Sequence, residues 1–123
     1  MQREIKFRGK RIDNSEWVYG FYTKIAVNFG QNDVIMEQTK GGSFVPQFID
    51  IKTLGQFIGI LDKNGTEIYE DDVVSNGVFV TVVEYCDGWY FPFGNSDTCL
   101  YSDEVEVIGN IHDNPELLEG DNG

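Results

Sequence analysis

The chain has 123 residues, 41% of them hydrophobic and 14% aromatic, an apolar content that disordered segments lack and that suffices for the core of one domain. No apolar run approaches the roughly 18 to 20 residues of a membrane-spanning helix, and the fourteen glycines against three prolines suit many turns between short strands. The net charge of −12 is unevenly spread: all nine Lys and Arg lie at or before Lys63, against seven acids there, and fourteen acids with no Lys or Arg follow.

The first eleven residues hold Arg3, Lys6, Arg8, Lys10 and Arg11 with no apolar stretch behind them, so they do not read as a secretory signal. Alternation over Glu4 to Arg8 predicts a strand with Ile5 and Phe7 on one face, and Asp13-Asn14-Ser15 predicts a turn. Trp17 to Tyr22 predicts a second strand, in which Gly20 marks a bulge or a close approach of two backbones; Lys24 to Phe29 continues it. A turn is expected at Gly30 to Asp33, a strand at Val34 to Met36 and a mobile loop at Thr39 to Ser43. Phe44 to Leu54 is ambiguous. Phe44, Phe48 and Ile51 recur at near-helical spacing, yet Pro46 and the β-branched residues favour an extended segment with about one helical turn.

Residues 56 to 75 are the best-specified part of the chain. Phe57, Ile58, Ile60 and Leu61 form a strand-forming run, Asp62-Lys63-Asn64-Gly65 supplies hairpin-turn chemistry, and Ile68-Tyr69 resumes the strand. Glu70-Asp71-Asp72 puts three carboxylates in a row, which predicts a solvated corner before the strand at Val73-Val74. Beyond it, Val78 to Tyr85 predicts one strong strand. Asp87-Gly88 marks a hairpin into Trp89-Tyr90-Phe91, ended by Pro92, and Gly94 to Asp97 a turn. Leu100-Tyr101 is a short apolar pair, Val105 to Ile111 a closing strand, and Asn114-Pro115-Glu116 the start of a short helix over 115–118. Strands at spacings near ten residues predict a mainly β protein: a small SH3-like β-barrel over about 56–111, an irregular β-rich N-terminal lobe over 1–55, a short C-terminal helix over 112–118 and a frayed tail over 119–123.

The chemistry-bearing residues are sparse. His112 is the one histidine, followed by Asp113, but neighbours on a strand point to opposite faces and no nucleophile motif accompanies them. The Asp62 turn differs from a helix-flanked calcium loop in the position of its glycine, and three consecutive carboxylates rarely all converge on one cation, so no metal, cofactor or catalytic residue is expected; a metal-dependent enzyme using Glu70 and Asp72 is the weakest alternative. Cys86 and Cys99 fit no metal or redox spacing; they read as two buried or half-buried thiols, with a bridge between paired strands as the alternative.

The segment QFIGILDKNGTEIYEDDVVS resembles the hallmark of the YopX family, small proteins of phages and prophages of Gram-positive bacteria. The resemblance rests on Gln56, Gly59, Asp62, Asn64, Gly65, Glu67, Ile68, Tyr69, Glu70, Asp72 and Val74. REIKFRGKRIDNSEWVYGFY (3–22) and VIGNIHDNPELL (107–118) resemble it too, so the likeness is nearly full length, as one domain over 1–118. Asp71 stands where the family usually has Gly, which argues against a very tight turn at that point. The resemblance implies a phage or prophage accessory protein in the cytoplasm of its host and carries over no catalytic residue. The charge pattern then predicts a non-enzymatic protein-interaction module. Its acidic surface comprises Glu70, Asp71, Asp72, Asp103, Glu104 and Glu106, and it faces a basic partner, a second copy in a homo-oligomer, or mimics nucleic-acid charge. The alternative is a nucleic-acid-associated module built on the basic surface of Arg3, Lys6, Arg8, Lys10 and Arg11 with Trp17, Tyr19 and Tyr22.

Overall fold

The structure, a computed structural model, describes residues 5–27, 30–86, 88–93 and 101–118. The protein is mainly β, and its helical content among these residues is two 3-10 turns, Ser102–Glu104 and Pro115–Leu118. The chain forms two compact units, Met1–Phe57 and Ile58–Gly123.

In the N-terminal unit, β1 (Phe7–Arg11), β2 (Trp17–Val27), β3 (Gly30–Gln38) and the first part of β4 (Phe44–Leu61) are all antiparallel. The ladder returns on itself. β1 pairs with β2 from Phe7↔Gly20 to Lys10↔Trp17, and also with β4 from Arg11↔Ile49 to Phe7↔Gln56. A bulge in β4 interrupts the second pairing, where the buried Thr53 hydroxyl donates to Asp50 O (2.6 Å) and accepts the Lys10 N–H (2.8 Å). Strand alternation turns Val18, Ile35 and Ile49 inward as a core, with Phe7, Tyr22 and Leu54 packed against it. Each such side chain, fully buried, contributes about 1.5–3 kcal/mol.

Gly20 resolves to a close approach: a Cβ there would lie 2.1 Å from Met36 O. Two expectations are corrected in this unit. Gly30 to Asp33 is strand, paired with Val27 to Lys24, because cross-strand pairing outweighs the local turn preference. Phe44 to Leu54 forms no helical turn and is part of one long strand; Pro46 sits opposite Met36, in the stretch that pairs with β3. Thr39 to Ser43 closes the β3–β4 hairpin through Thr39 N–H to Ser43 O (2.7 Å) and Gly42 N–H to Thr39 O (3.0 Å).

In the C-terminal unit, the end of β4 pairs with β5 (Glu67–Tyr69) across the turn expected at Asp62 to Thr66, where Gly65 takes a φ of 81°. β6 (Asp72–Ser75) lies between β7 (Val80–Val82) and β10 (Glu106–Asn110), and β8 (Glu84–Cys86) pairs with β9 (Trp89–Phe91). The core is Ile58, Ile68, Val74, Val83 and Val105, with Ile60, Tyr90, Phe93 and Val107 against it. The strand expected over Val78 to Tyr85 is broken at Val83, whose N–H and C=O turn aside to Asp72 O (2.8 Å) and Asp71 N–H (2.9 Å). Cys86 is a free, half-buried thiol. Cys99, Arg3, Leu100, the turn at Gly94 to Asp97 and the tail at 119–123 lie outside the described residues.

Candidate functional site

The acidic corner after β5 is built by its backbone. Asp71 adopts φ 73°, so the tight turn survives without the family's glycine. Its N–H donates to Val83 O (2.9 Å), and its C=O accepts the Ile111 N–H (3.0 Å), which ties the corner to the neighbouring strands. The three carboxylates of the corner diverge. Asp72, expected on the surface, is 1% exposed: its Oδ2 accepts the Tyr69 N–H at 2.8 Å, an inward hydrogen bond that removes it from any interaction surface. Glu70 is half-buried and accepts the Tyr90 hydroxyl at 3.1 Å. Asp71 Oδ2 lies 3.1 Å from His112 Nε2. His112 stands where β10 gives way to the terminal 3-10 turn, held there because Asn110 Oδ1 accepts the N–H groups of His112 and Asp113, each at 2.9 Å. The carboxylate at its Nε2 is that of Asp71, 41 residues away in the chain.

Asp103, Glu104 and Glu106 are exposed, the first two on the 3-10 turn before β10 and the third at its start, where Glu106 accepts the Asn64 amide at 3.4 Å. Behind them Asp62, 6% exposed, pins the hairpin: Oδ1 accepts the N–H groups of Asn64 (2.8 Å) and Thr66 (2.9 Å), and Oδ2 accepts that of Val107 (2.9 Å). Burial alone would raise its carboxyl, but the N–H donors of Val107, Thr66 and Asn64 prevail and hold it below the ordinary value. The sequence identified this residue as a turn former; its third bond, to a strand 45 residues on, carries no local signal.

The basic surface is largely occupied by its own neighbours. Arg8 is buried, 7% exposed, which removes it from a surface, with its guanidinium 4.6 Å from the Trp17 ring centroid. The Lys10 ammonium lies 5.5 Å from the same ring, and that of Lys6 lies 5.9 Å from the Phe57 ring. Arg11 pairs with Asp13 at 2.7 Å. These cations serve as lids on aromatic faces, an attraction that grows as the pair loses water. Sequence reading missed one polar cluster, in which Asp33 Oδ1 accepts both the Tyr22 hydroxyl (2.6 Å) and the Lys24 ammonium (3.0 Å). The hydrogen bond to Asp33 raises the Tyr22 phenol and the Lys24 ammonium above their ordinary values, and those two donors lower Asp33. Lys24 and Asp33 are direct cross-strand partners, a pairing that only the β2–β3 register reveals.

Among the described residues no three His, Cys, Asp or Glu side chains come together as a metal site, and no helix is long and apolar enough to cross a membrane. The arrangement is that of a mainly β protein with an acidic C-terminal unit. Comparison with known proteins places it more closely. The YopX protein family matches residues 6–119, and the chain belongs to that family. A crystal structure of protein EF1440 from Enterococcus faecalis is similar, with 26% sequence identity and a TM-score of 0.58, over 95% of this chain and 99% of that one. No curated protein matches.

Proposed function

We propose that the protein is a phage or prophage accessory protein that acts in the host cytoplasm by protein–protein contact, with its C-terminal unit as the acidic partner surface. One observation carries this reading: the division of charge coincides with the division into units. The N-terminal unit has eight Lys and Arg against six acids, and the C-terminal unit has Lys63 alone against fifteen. Such a field draws in a basic partner, or the N-terminal unit of a second copy, and repels nucleic acid. Asp103, Glu104 and Glu106 are its exposed contacts, and Glu70 and Asp71 lie at the corner before β6. The engagement of Arg8 and Lys10 with the Trp17 ring weighs against the nucleic-acid alternative, since those two cations already serve the N-terminal unit. The same reading takes the chain as one YopX-like domain with two lobes, the second an SH3-like arrangement ended by a short helix. The short antiparallel strands around a single apolar cluster support it.

The test is light scattering after size exclusion at about 50 mM and about 0.5 M salt, conditions that bracket strong and weak screening. A discrete oligomer that dissociates at high salt is expected if basic and acidic surfaces of two copies meet. A salt-indifferent monomer that also captures no basic protein from host lysate refutes the proposal.

A further inference from the structure

The hairpin between β6 and β7 ends in Val78 and Phe79, which are 79% and 63% exposed. This tip is rigidly built. Asn76 Oδ1 accepts the N–H groups of Val78 (2.9 Å) and Phe79 (2.7 Å), the Ser75 hydroxyl accepts that of Gly77 (3.0 Å), and Asn76 N–H donates to Phe79 O (3.3 Å). A preformed apolar tip loses little conformational freedom on docking. A carboxylate stands at its base: Ser75 pairs with Val80 on one side and with Glu106 on the other, and Asp103 and Glu104 immediately precede β10 in the chain.

The N-terminal unit offers an aromatic surface. On the outer face of its sheet, Tyr19, Phe21 and Phe44 are each more than 40% exposed, with the Phe21 and Phe44 ring centroids 5.1 Å apart. Phe21 pairs with Met36 across the strands, and these residues with Lys6 line a groove of about 350 Å³. A groove with aromatic walls and a lysine at its border matches an apolar tip with a carboxylate at its base in contact chemistry and sign of charge.

We propose that the Val78–Phe79 tip of one copy docks into the Tyr19–Phe21–Met36–Phe44 groove of a second copy. This rests on the protein-contact reading and specifies its partner and its surface. The contact joins two different patches, so it closes either reciprocally between two copies or head to tail around a ring.

The experiment uses the full chain in three forms: the parent, a tip variant (Val78→Ser with Phe79→Ser) and a groove variant (Phe44→Ser), each checked for native melting. Sedimentation velocity across a concentration series gives the association constant. Burial of each side chain sets the expectation: the parent self-associates, and each variant associates roughly tenfold or more weakly. Mixing the two variants restores one intact contact and yields a 1:1 dimer with nothing larger. Equal association by parent and tip variant overturns the tip contact while the acidic-surface reading stands. A monomeric tip variant beside an associating groove variant also overturns it, because the tip then meets another surface. A parent that stays monomeric at every concentration overturns self-docking and leaves the wider reading to its search for a basic partner. Should Phe44→Ser fail to fold, Phe21→Ser on the same groove replaces it, with the same outcomes expected.

Discussion

Asp62→Asn tests the account of the central hairpin most directly. The wild-type carboxylate accepts three backbone N–H groups within 2.9 Å from a position only 6% exposed. An asparagine can keep its oxygen toward Asn64 and Thr66, but it then turns an amide NH2 against the Val107 N–H, so one charge-assisted bond becomes a donor–donor conflict. A hydrogen bond to a charged group contributes about 1.5–3 kcal/mol, and the expected loss at neutral pH is about 2–3 kcal/mol, or a fall of about 6–15 °C in melting temperature. The folded carboxyl titrates below its ordinary value of 3.8. Its contribution is therefore fully present above that value and is lost as pH falls through the folded pKa. Parent and variant should differ most near neutrality and converge in acid. The assay is chemical denaturation at neutral pH and in steps down to acid, with amide exchange of Val107 as the local readout. A variant within about 0.5 kcal/mol of the parent, with parallel pH curves and unchanged Val107 exchange, refutes the reasoning.

Other substitutions probe other parts of the fold. Gly20→Ala should destabilise the N-terminal unit by about 1–3 kcal/mol or more, since its Cβ would meet Met36 O at 2.1 Å and the backbone must shift; thermal melting measures this. At the corner, Asp71→Gly should be more stable than Asp71→Ala by about 1 kcal/mol in urea titrations, because only glycine takes φ 73° without strain. Asp33→Asn should bring the Tyr22 phenol down toward its ordinary value of 10.0, seen as an earlier tyrosinate absorbance in alkaline titration.

Where the sequence can be read, the cause is local. The Asp62 turn has its glycine at the positive-φ position, and Gly20 marks a close approach of two backbones. What escaped depends on partners far along the chain. Gly30 to Asp33 carries turn residues, yet seven successive pairs with β2 hold β3 extended. Pro46 reads as a breaker, yet it falls within the pairing with β3. Of the candidate surfaces, Asp103, Glu104 and Glu106 are exposed as composition suggests. Asp72 and Arg8 are not, because a charged side chain can turn inward to partners such as the Tyr69 N–H or the Trp17 ring, and no pattern of charges in a sequence records that choice. The Asp71–His112 contact spans 41 residues and was equally invisible.

The double pairing of β1 has a consequence during synthesis. β1 meets β2 almost at once, but its other edge waits for β4: Arg11 pairs with Ile49 and Phe7 with Gln56. At about 5–20 residues per second the ribosome takes on the order of 2–10 s to supply those partners. Throughout that interval the nascent hairpin presents an open strand edge, the feature that invites pairing with a neighbouring chain. Lys6, Arg8, Lys10 and Arg11 sit on or beside this edge, and their mutual repulsion between chains on one message discourages such pairing until β4 arrives.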